Sequence, residues 1–209
     1  MTSILLKDFA DIKLVADDPE ERFITSGVSW EQYEALLAKL GDSPWYRVTY
    51  LEGVLEVMSP SRRHEFNKKI IAMLVESYLV KTRTRFYALG STTFREETAA
   101  RGIEPDECYC INSEKSVPDI AIEAVVTSGG INSLEVYKGL KIPEVWFWEN
   151  NRFCLYYLQG DEYKIISQSK FLPKLDFNLL ASYLMSPAEL MDVVLEFRQR
   201  VWEQNNKSN

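Results

Sequence analysis

The sequence predicts an α/β fold, a mixed central β-sheet flanked by helices, and three observations carry that expectation. Residues 46–58 alternate apolar and polar around Glu52-Gly53, the pattern of a β-hairpin. Residues 119–126, Asp-Ile-Ala-Ile-Glu-Ala-Val-Val, are almost continuously apolar, as in a strand covered on both faces. Between them, Phe66, Ile70, Met73, Leu74 and Tyr78 recur at helical spacing and predict one buried stripe on a long helix.

Taken in order, residues 1–25 show weak periodicity and read as an N-terminal arm. Ser29-Trp30-Glu31-Gln32 is a capping box, so a helix is expected from Trp30 to Leu40, ended by Gly41. The hairpin follows, and Ser59-Pro60-Ser61 turns the chain into the long helix. Residues 86–94 and 106–111 read as strands, 119–126 as the most buried one. A helix over 132–140, a strand over 145–148 and a hairpin of 153–158 with 163–169 around Gly160-Asp161 come next. Residues 175–184 and 187–202 are expected as helices, the second with Pro187 in its first turn after a Ser186 cap. The polar end, residues 203–209, is expected to fray.

The 209 residues, 46% of them hydrophobic, suit a single domain over 1–209 with a substantial core. No run of 18 apolar residues occurs, so no membrane span is expected. The N-terminus lacks a basic region followed by an apolar one, so no secretory signal is expected and a cytoplasmic location is. Cys108, Cys110 and Cys154 are odd in number and form no Cys-x-x-Cys pair, which points to buried thiols in a reducing compartment. The net charge of -7 argues against coating nucleic acid by bulk charge. Local basic pairs remain, and Arg62, Arg63 and Lys68 are candidate nucleic-acid contacts. Their other reading is a solvated helix face.

The carboxylates carry the chemistry. Glu123, inside Ile-Ala-Ile-Glu-Ala-Val-Val, is expensive to bury unless a metal or a partner compensates it. Asp106 and Asp119 both follow prolines and compete to be that partner. Asp119 lies four residues before Glu123 on one strand, roughly 13 Å away, too far for one metal. Asp106 is far enough upstream for a hairpin to return its strand beside that of Glu123. Two carboxylates on adjacent strands could hold Mg²⁺, which prefers hard oxygen ligands and retains waters that can attack a phosphodiester. Glu52 reads as a turn residue, and Trp146, Phe147 and Trp148 as core aromatics rather than base-stacking ones.

These pieces resemble the PD-(D/E)xK nuclease superfamily and, within it, the Uma-type group of restriction endonucleases. The resemblance rests on residues 50–60 with His64 after them, Gly90-Ser-Thr-Thr-Phe-Arg95, Glu104-Pro-Asp106, Pro118-Asp-Ile-Ala-Ile-Glu123, and Leu134-Glu-Val-Tyr137 leading to Pro143-Glu-Val-Trp146. It implies a restriction-endonuclease-like sandwich, Mg²⁺-dependent cleavage of DNA and a homodimer. Asp106 and Glu123 would be the metal carboxylates. His64 is a further candidate ligand, with Mn²⁺ the alternative metal that an imidazole favours; its other reading is a surface residue at a helix start.

The lysine of the motif would stand two residues after the glutamate, but Val125 is there. In the Uma-type group it resembles a migrated one on the following helix, where this chain has Ser133. Serine supplies no positive charge, and losing such a group costs on the order of 10²–10³-fold in rate. Lys138 is rotated about 140° from Ser133 around a helix, and Lys141 lies about 80° off and roughly two turns on. The leading expectation is a metal-dependent endonuclease impaired at Ser133. Its rival is a non-catalytic DNA-binding or interaction module that kept the fold. An acid–base hydrolase without metal is disfavoured, since neither a nucleophile elbow nor a second histidine occurs.

Overall fold

The computed structural model describes residues 20–41, 43, 45–127 and 129–207. The N-terminal arm therefore lies outside the described residues up to residue 19, and the last two residues of the tail do as well.

Residues Glu21–Ser26, expected as part of a loose arm, form strand β1. Helix α1 (Trp30–Leu40) starts at the capping box, with Ser29 accepting from the Gln32 backbone and Gln32 from that of Ser29. The hairpin is β2 (Arg47–Leu51) and β3 (Val54–Ser59). Glu52 adopts φ 47° and Gly53 φ 87°, the left-handed region that such a two-residue turn needs. β1 then adds to the outer edge of β3 in antiparallel register, from Glu21↔Ser59 to Ser26↔Val54. Its alternation is too weak to read in isolation because Phe23 and Ile24 stay exposed.

Helix α2 (Arg62–Lys81) is capped by the Ser61 hydroxyl, which accepts from His64 N–H at 3.0 Å. The expected stripe is half right. Ile70, Leu74 and Tyr78 are buried, but Phe66 and Met73 are exposed, and Ile71, Val75 and Leu79 take their places. The helix is apolar on two faces, and spacing alone does not say which meets the sheet.

Residues 86–94 do not form one strand. β4 (Phe86–Ala88) and β5 (Phe94–Glu96) belong to different sheets, separated by Gly90 at φ 58°. β6 (Arg101–Ile103), too short to show a period, pairs with both β2 and β5. β7 (Glu107–Ile111) and β8 (Ile120–Ala124) are buried and antiparallel. α3 (Ser133–Gly139) leads to β9 (Glu144–Glu149), which returns parallel to β8. β10 (Arg152–Gln159) and β11 (Glu162–Ile166) form the last hairpin.

α4 (Phe177–Leu184) is capped by Asp176. α5 (Leu190–Lys207) begins three residues after Pro187, because the Ser186 hydroxyl caps a short turn at Ala188 instead of a helix. It also continues to Lys207, into the stretch expected to fray, anchored just ahead of it by Val201, which is buried against the core.

Two sheets result, one more than the sequence predicts. The six-stranded sheet, ordered β11-β10-β9-β8-β7-β4, is mixed, with β8 and β9 parallel. The five-stranded sheet, β1-β3-β2-β6-β5, is antiparallel. On one face of the mixed sheet, Ile120, Ile122 and Ala124 of β8 pack with α2, α4 and α5 in the main core. On the other face, Ala121 and Val145 pack with Val136 and Tyr137 of α3 and Ile103 of β6. α1 covers the second sheet through Tyr33, which packs with Val48, Tyr50 and Leu55. Among the described residues, no helix is long and apolar enough to cross a membrane. Cys108 and Cys110 are buried and all three cysteines are free.

Candidate active site

Alternation along β8 puts Ile120, Ile122 and Ala124 against α2, and so turns Ala121 and Glu123 toward α3. β7 and β8 pair Glu107 with Ile122. One step further along the same register, Asp106 stands opposite Glu123. Residues directly opposite share a face, with Cβ atoms about 5 Å apart. Asp106 Oδ2 accepts the Ala124 backbone N–H at 2.8 Å, which locks that position. Both carboxylates line a cavity of about 310 Å³, with Glu104, His64 and Ser133 also in its wall.

The two acids have unlike environments. Glu123 is half-buried at the cavity wall, and desolvation pushes its carboxyl up to about 8, with the Asp106 charge adding to the rise. The Tyr137 hydroxyl donates to Glu123 Oε1 and partly opposes that rise. Asp106 Oδ1, by contrast, sits 2.7 Å from His64 Nε2. His64 Nδ1 is 2.7 Å from Glu20 Oε1 on the other side. Burial alone would pull the imidazole down, but its two carboxylate partners outweigh that and raise it to about 10. His64 is therefore an imidazolium held between two carboxylates.

This arrangement corrects two sequence expectations. His64 is 3% exposed, not a surface residue. Both of its ring nitrogens are engaged by carboxylates, at 2.7 Å each. Lys68 is buried too, its Nζ donating to the Ser91 hydroxyl at 2.7 Å, so it does not face a nucleic acid on the surface. Arg62 and Arg63 are exposed at the start of α2. Asp119 pairs with Lys115 and accepts the Ile111 N–H at 2.7 Å, a structural role ahead of β8.

Ser133 opens α3 at the cavity wall. Neither nearby lysine replaces it. Lys138 pairs with Glu135 at 2.5 Å and Lys141 with Asp161 at 3.0 Å, and neither lines the cavity.

The sequence reading missed the layer that holds this site. Glu20 and Arg22 of the N-terminal segment tie down the connection from β8 to α3. Glu20 accepts from both the backbone N–H and the hydroxyl of Thr127. Arg22 bridges Glu56 at 2.7 Å and Glu20 at 3.2 Å and reaches the Thr127 carbonyl. Glu56 in turn accepts the Ile131 N–H at 2.6 Å. A Cβ on Gly130 would stand 2.6 Å from both Arg22 Nη1 and Glu56 Oε2, so a larger residue there would push this ion pair aside. The one available signal was the charged run Glu20-Glu21-Arg22, which carries no spatial information.

Asp106 and Glu123 bring hard oxygens to one cavity, the donor chemistry of Mg²⁺. Among the described residues no group of three or more His, Cys, Asp or Glu side chains forms a ligand set. Two protein carboxylates fit a cation that keeps most of its own waters and do not fit a closed zinc-type site.

Among curated proteins none matches the chain. The family model Uma2, described as "Putative restriction endonuclease", matches residues 30–182. That span is most of the chain and contains Asp106, Glu123 and Ser133. Together with the α/β architecture, it makes this chain a member of the Uma2 family, with a restriction-endonuclease-like fold and a function of the nuclease kind.

Proposed function

We propose that this chain is an endodeoxyribonuclease that hydrolyses phosphodiester bonds at the cavity between β7, β8 and α3, with Mg²⁺ held by Asp106 and Glu123. The carrying observation is the placement of these two carboxylates opposite each other, where the charge of Asp106 helps to push the carboxyl of Glu123 up to about 8. Such a pair favours a shared cation or a proton. The wall as a whole points the same way, with five carboxylates against Arg22, Arg47 and the His64 imidazolium. An anionic phosphate enters such a cavity only when a cation comes with it.

Bound there, the metal supplies Lewis-acid polarisation of the phosphate and a more acidic water. The chain's own groups do the rest. Asp106 is fixed in place by His64 and the Ala124 N–H. Tyr137 orients Glu123. In the reaction a water oxygen bonds to phosphorus as the bond to the sugar oxygen breaks. One water proton stays on the new phosphomonoester and the other ends on the departing oxygen. A second cleft shares Val125 and Glu149 with the cavity and is lined by Arg63, Asn67, Asn150 and Asn151. This cleft suits the strand beyond the cut, where amide and guanidinium groups contact phosphate and base edges.

The alternative, a non-catalytic DNA-binding module, is favoured by Ser133 at the cation position. Cleavage of plasmid and single-stranded DNA under Mg²⁺ titration separates the two. Turnover that rises with Mg²⁺ and is lost in Asp106→Asn and Glu123→Gln supports the enzyme. DNA binding without turnover, unimproved by Ser133→Lys, overturns it.

For the homodimer, the exposed side of α2 offers a seam. Phe66, Met73 and Val80 are exposed at seven-residue spacing, with Lys69 and Glu76 between them. In a two-fold antiparallel pairing centred on Met73, Phe66 meets the partner's Val80, and Lys69 comes within one residue of the position facing the partner's Glu76. The surface is thus complementary to itself in both shape and charge.

A further inference from the structure

We infer that Arg47 supplies the positive charge that Ser133 cannot, by binding a non-bridging oxygen of the scissile phosphate. This rests on the nuclease reading above. Among the described residues, three cationic side chains line the cavity: Arg22, Arg47 and His64. Two of them are committed elsewhere. Arg22 spends its guanidinium on Glu56, Glu20 and Thr127, with Glu56 at 2.7 Å. His64 has a carboxylate at 2.7 Å on each nitrogen.

Arg47 is different. It projects from β2 with its side chain nine-tenths buried, yet its Nε–H has no hydrogen-bond partner. Its two terminal nitrogens reach Glu104 at 3.2 Å and Glu65 at 3.4 Å, both long for charge-assisted bonds. Those carboxylates are partly exposed, so solvent weakens their hold. A guanidinium carries five N–H donors in a fixed fork that matches two phosphate oxygens, and Arg47 uses few of them well. Glu104 stands two residues before Asp106, which places this loosely held fork next to the metal carboxylates. No other cation of the wall is free to turn toward an anion as it arrives.

The test compares wild type, Arg47→Met, Arg47→Lys, Ser133→Lys and the double variant Arg47→Met/Ser133→Lys. Plasmid cleavage in Mg²⁺ is read beside Mg²⁺ binding by calorimetry and thermal unfolding. Arg47→Met is expected to lose about 10²-fold in kcat/KM, the size of one missing transition-state donor, with Mg²⁺ affinity unchanged. Adding Ser133→Lys to Arg47→Met is expected to recover at least about tenfold of the rate, which a purely structural defect at Arg47 would not allow. If Arg47→Met fails to fold, Arg47→Lys serves in its place, since it keeps a cation beside Glu104 but loses the fork. Its cleavage is expected to fall about tenfold with unchanged melting. Wild-type cleavage that Arg47→Met or Arg47→Lys leaves intact, or a loss that Ser133→Lys does not relieve, overturns the role of Arg47 alone. A wild type that cleaves nothing in Mg²⁺ or Mn²⁺ overturns the nuclease reading and this inference with it.

Discussion

His64 Nε2 lies 2.7 Å from Asp106 Oδ1, joining the first turn of the long helix to the carboxylate that opens β7. The contact is sealed from solvent, with Glu20 completing it from the N-terminal segment. Its energetics differ from those of a surface ion pair. Removing one member of a buried set leaves the others without compensation, a cost of about 3–5 kcal/mol.

His64→Ala is therefore expected to destabilise the protein by about 3–5 kcal/mol, because Glu20 and Asp106 then face each other across a void. Denaturant unfolding at pH 7 measures it. The pH dependence has a definite sign. The histidine is raised in the folded state to about 10, so its contribution is complete below its unfolded value and is lost as pH rises through about 10. Wild type should lose stability over that window, and His64→Ala should lose much less there.

Glu123 makes the opposite kind of demand on the fold. Its carboxyl is pushed up to about 8, so the metal-free protein favours the protonated form. Stability from this group is complete below the unfolded carboxylate range and declines as pH rises through about 8. Mg²⁺ binding must displace that proton. Calorimetry in buffers of different ionisation enthalpy should show close to one proton released per Mg²⁺ at pH 6.5 and little above pH 9. Glu123→Gln should abolish both the proton release and the decline in stability.

Tyr33 and Gly102 form a contact away from the cavity that tests packing. The Tyr33 ring stacks on Tyr50 at 4.9 Å, and its hydroxyl is buried without a partner against the α-carbon of Gly102. Gly102→Ala should cost about 1–3 kcal/mol by overpacking. Tyr33→Phe should be neutral or stabilising by about 1 kcal/mol, since it deletes an orphaned hydroxyl. The double variant should cost less than Gly102→Ala alone, as thermal unfolding would show.

For the α2 seam, Met73→Lys puts like charges together at the proposed two-fold axis. Light scattering should report a dimer for wild type and a monomer for Met73→Lys, with melting of the dilute protein unchanged. A monomeric wild type would dismiss the seam.

Local signals account for what was readable in the sequence. The Ser29–Gln32 capping box and the Glu52-Gly53 turn are decided within four residues, so they survive any tertiary context. Asp106 and Glu123 were legible because strand period and hairpin length together leave one way to bring them opposite. Lys68 was not, because its burial depends on Ser91, which arrives from a distant loop. Glu20, Arg22 and Arg47 were invisible for the same reason. Their roles arise only once β1 is zipped onto β3 and β2 lies beside β6.

The zipping of β1 onto β3 has a consequence for where this molecule begins and ends. Similarity draws its border at residue 30, yet Glu20 and Arg22, which hold Thr127, Glu56 and His64, stand before it. Beyond the other border, Phe197 and Val201 of α5 close the main core. A fragment trimmed to the matched span would keep Asp106 and Glu123 and lose their scaffolding. The matched span and what must fold together are different units here, and the second is the larger.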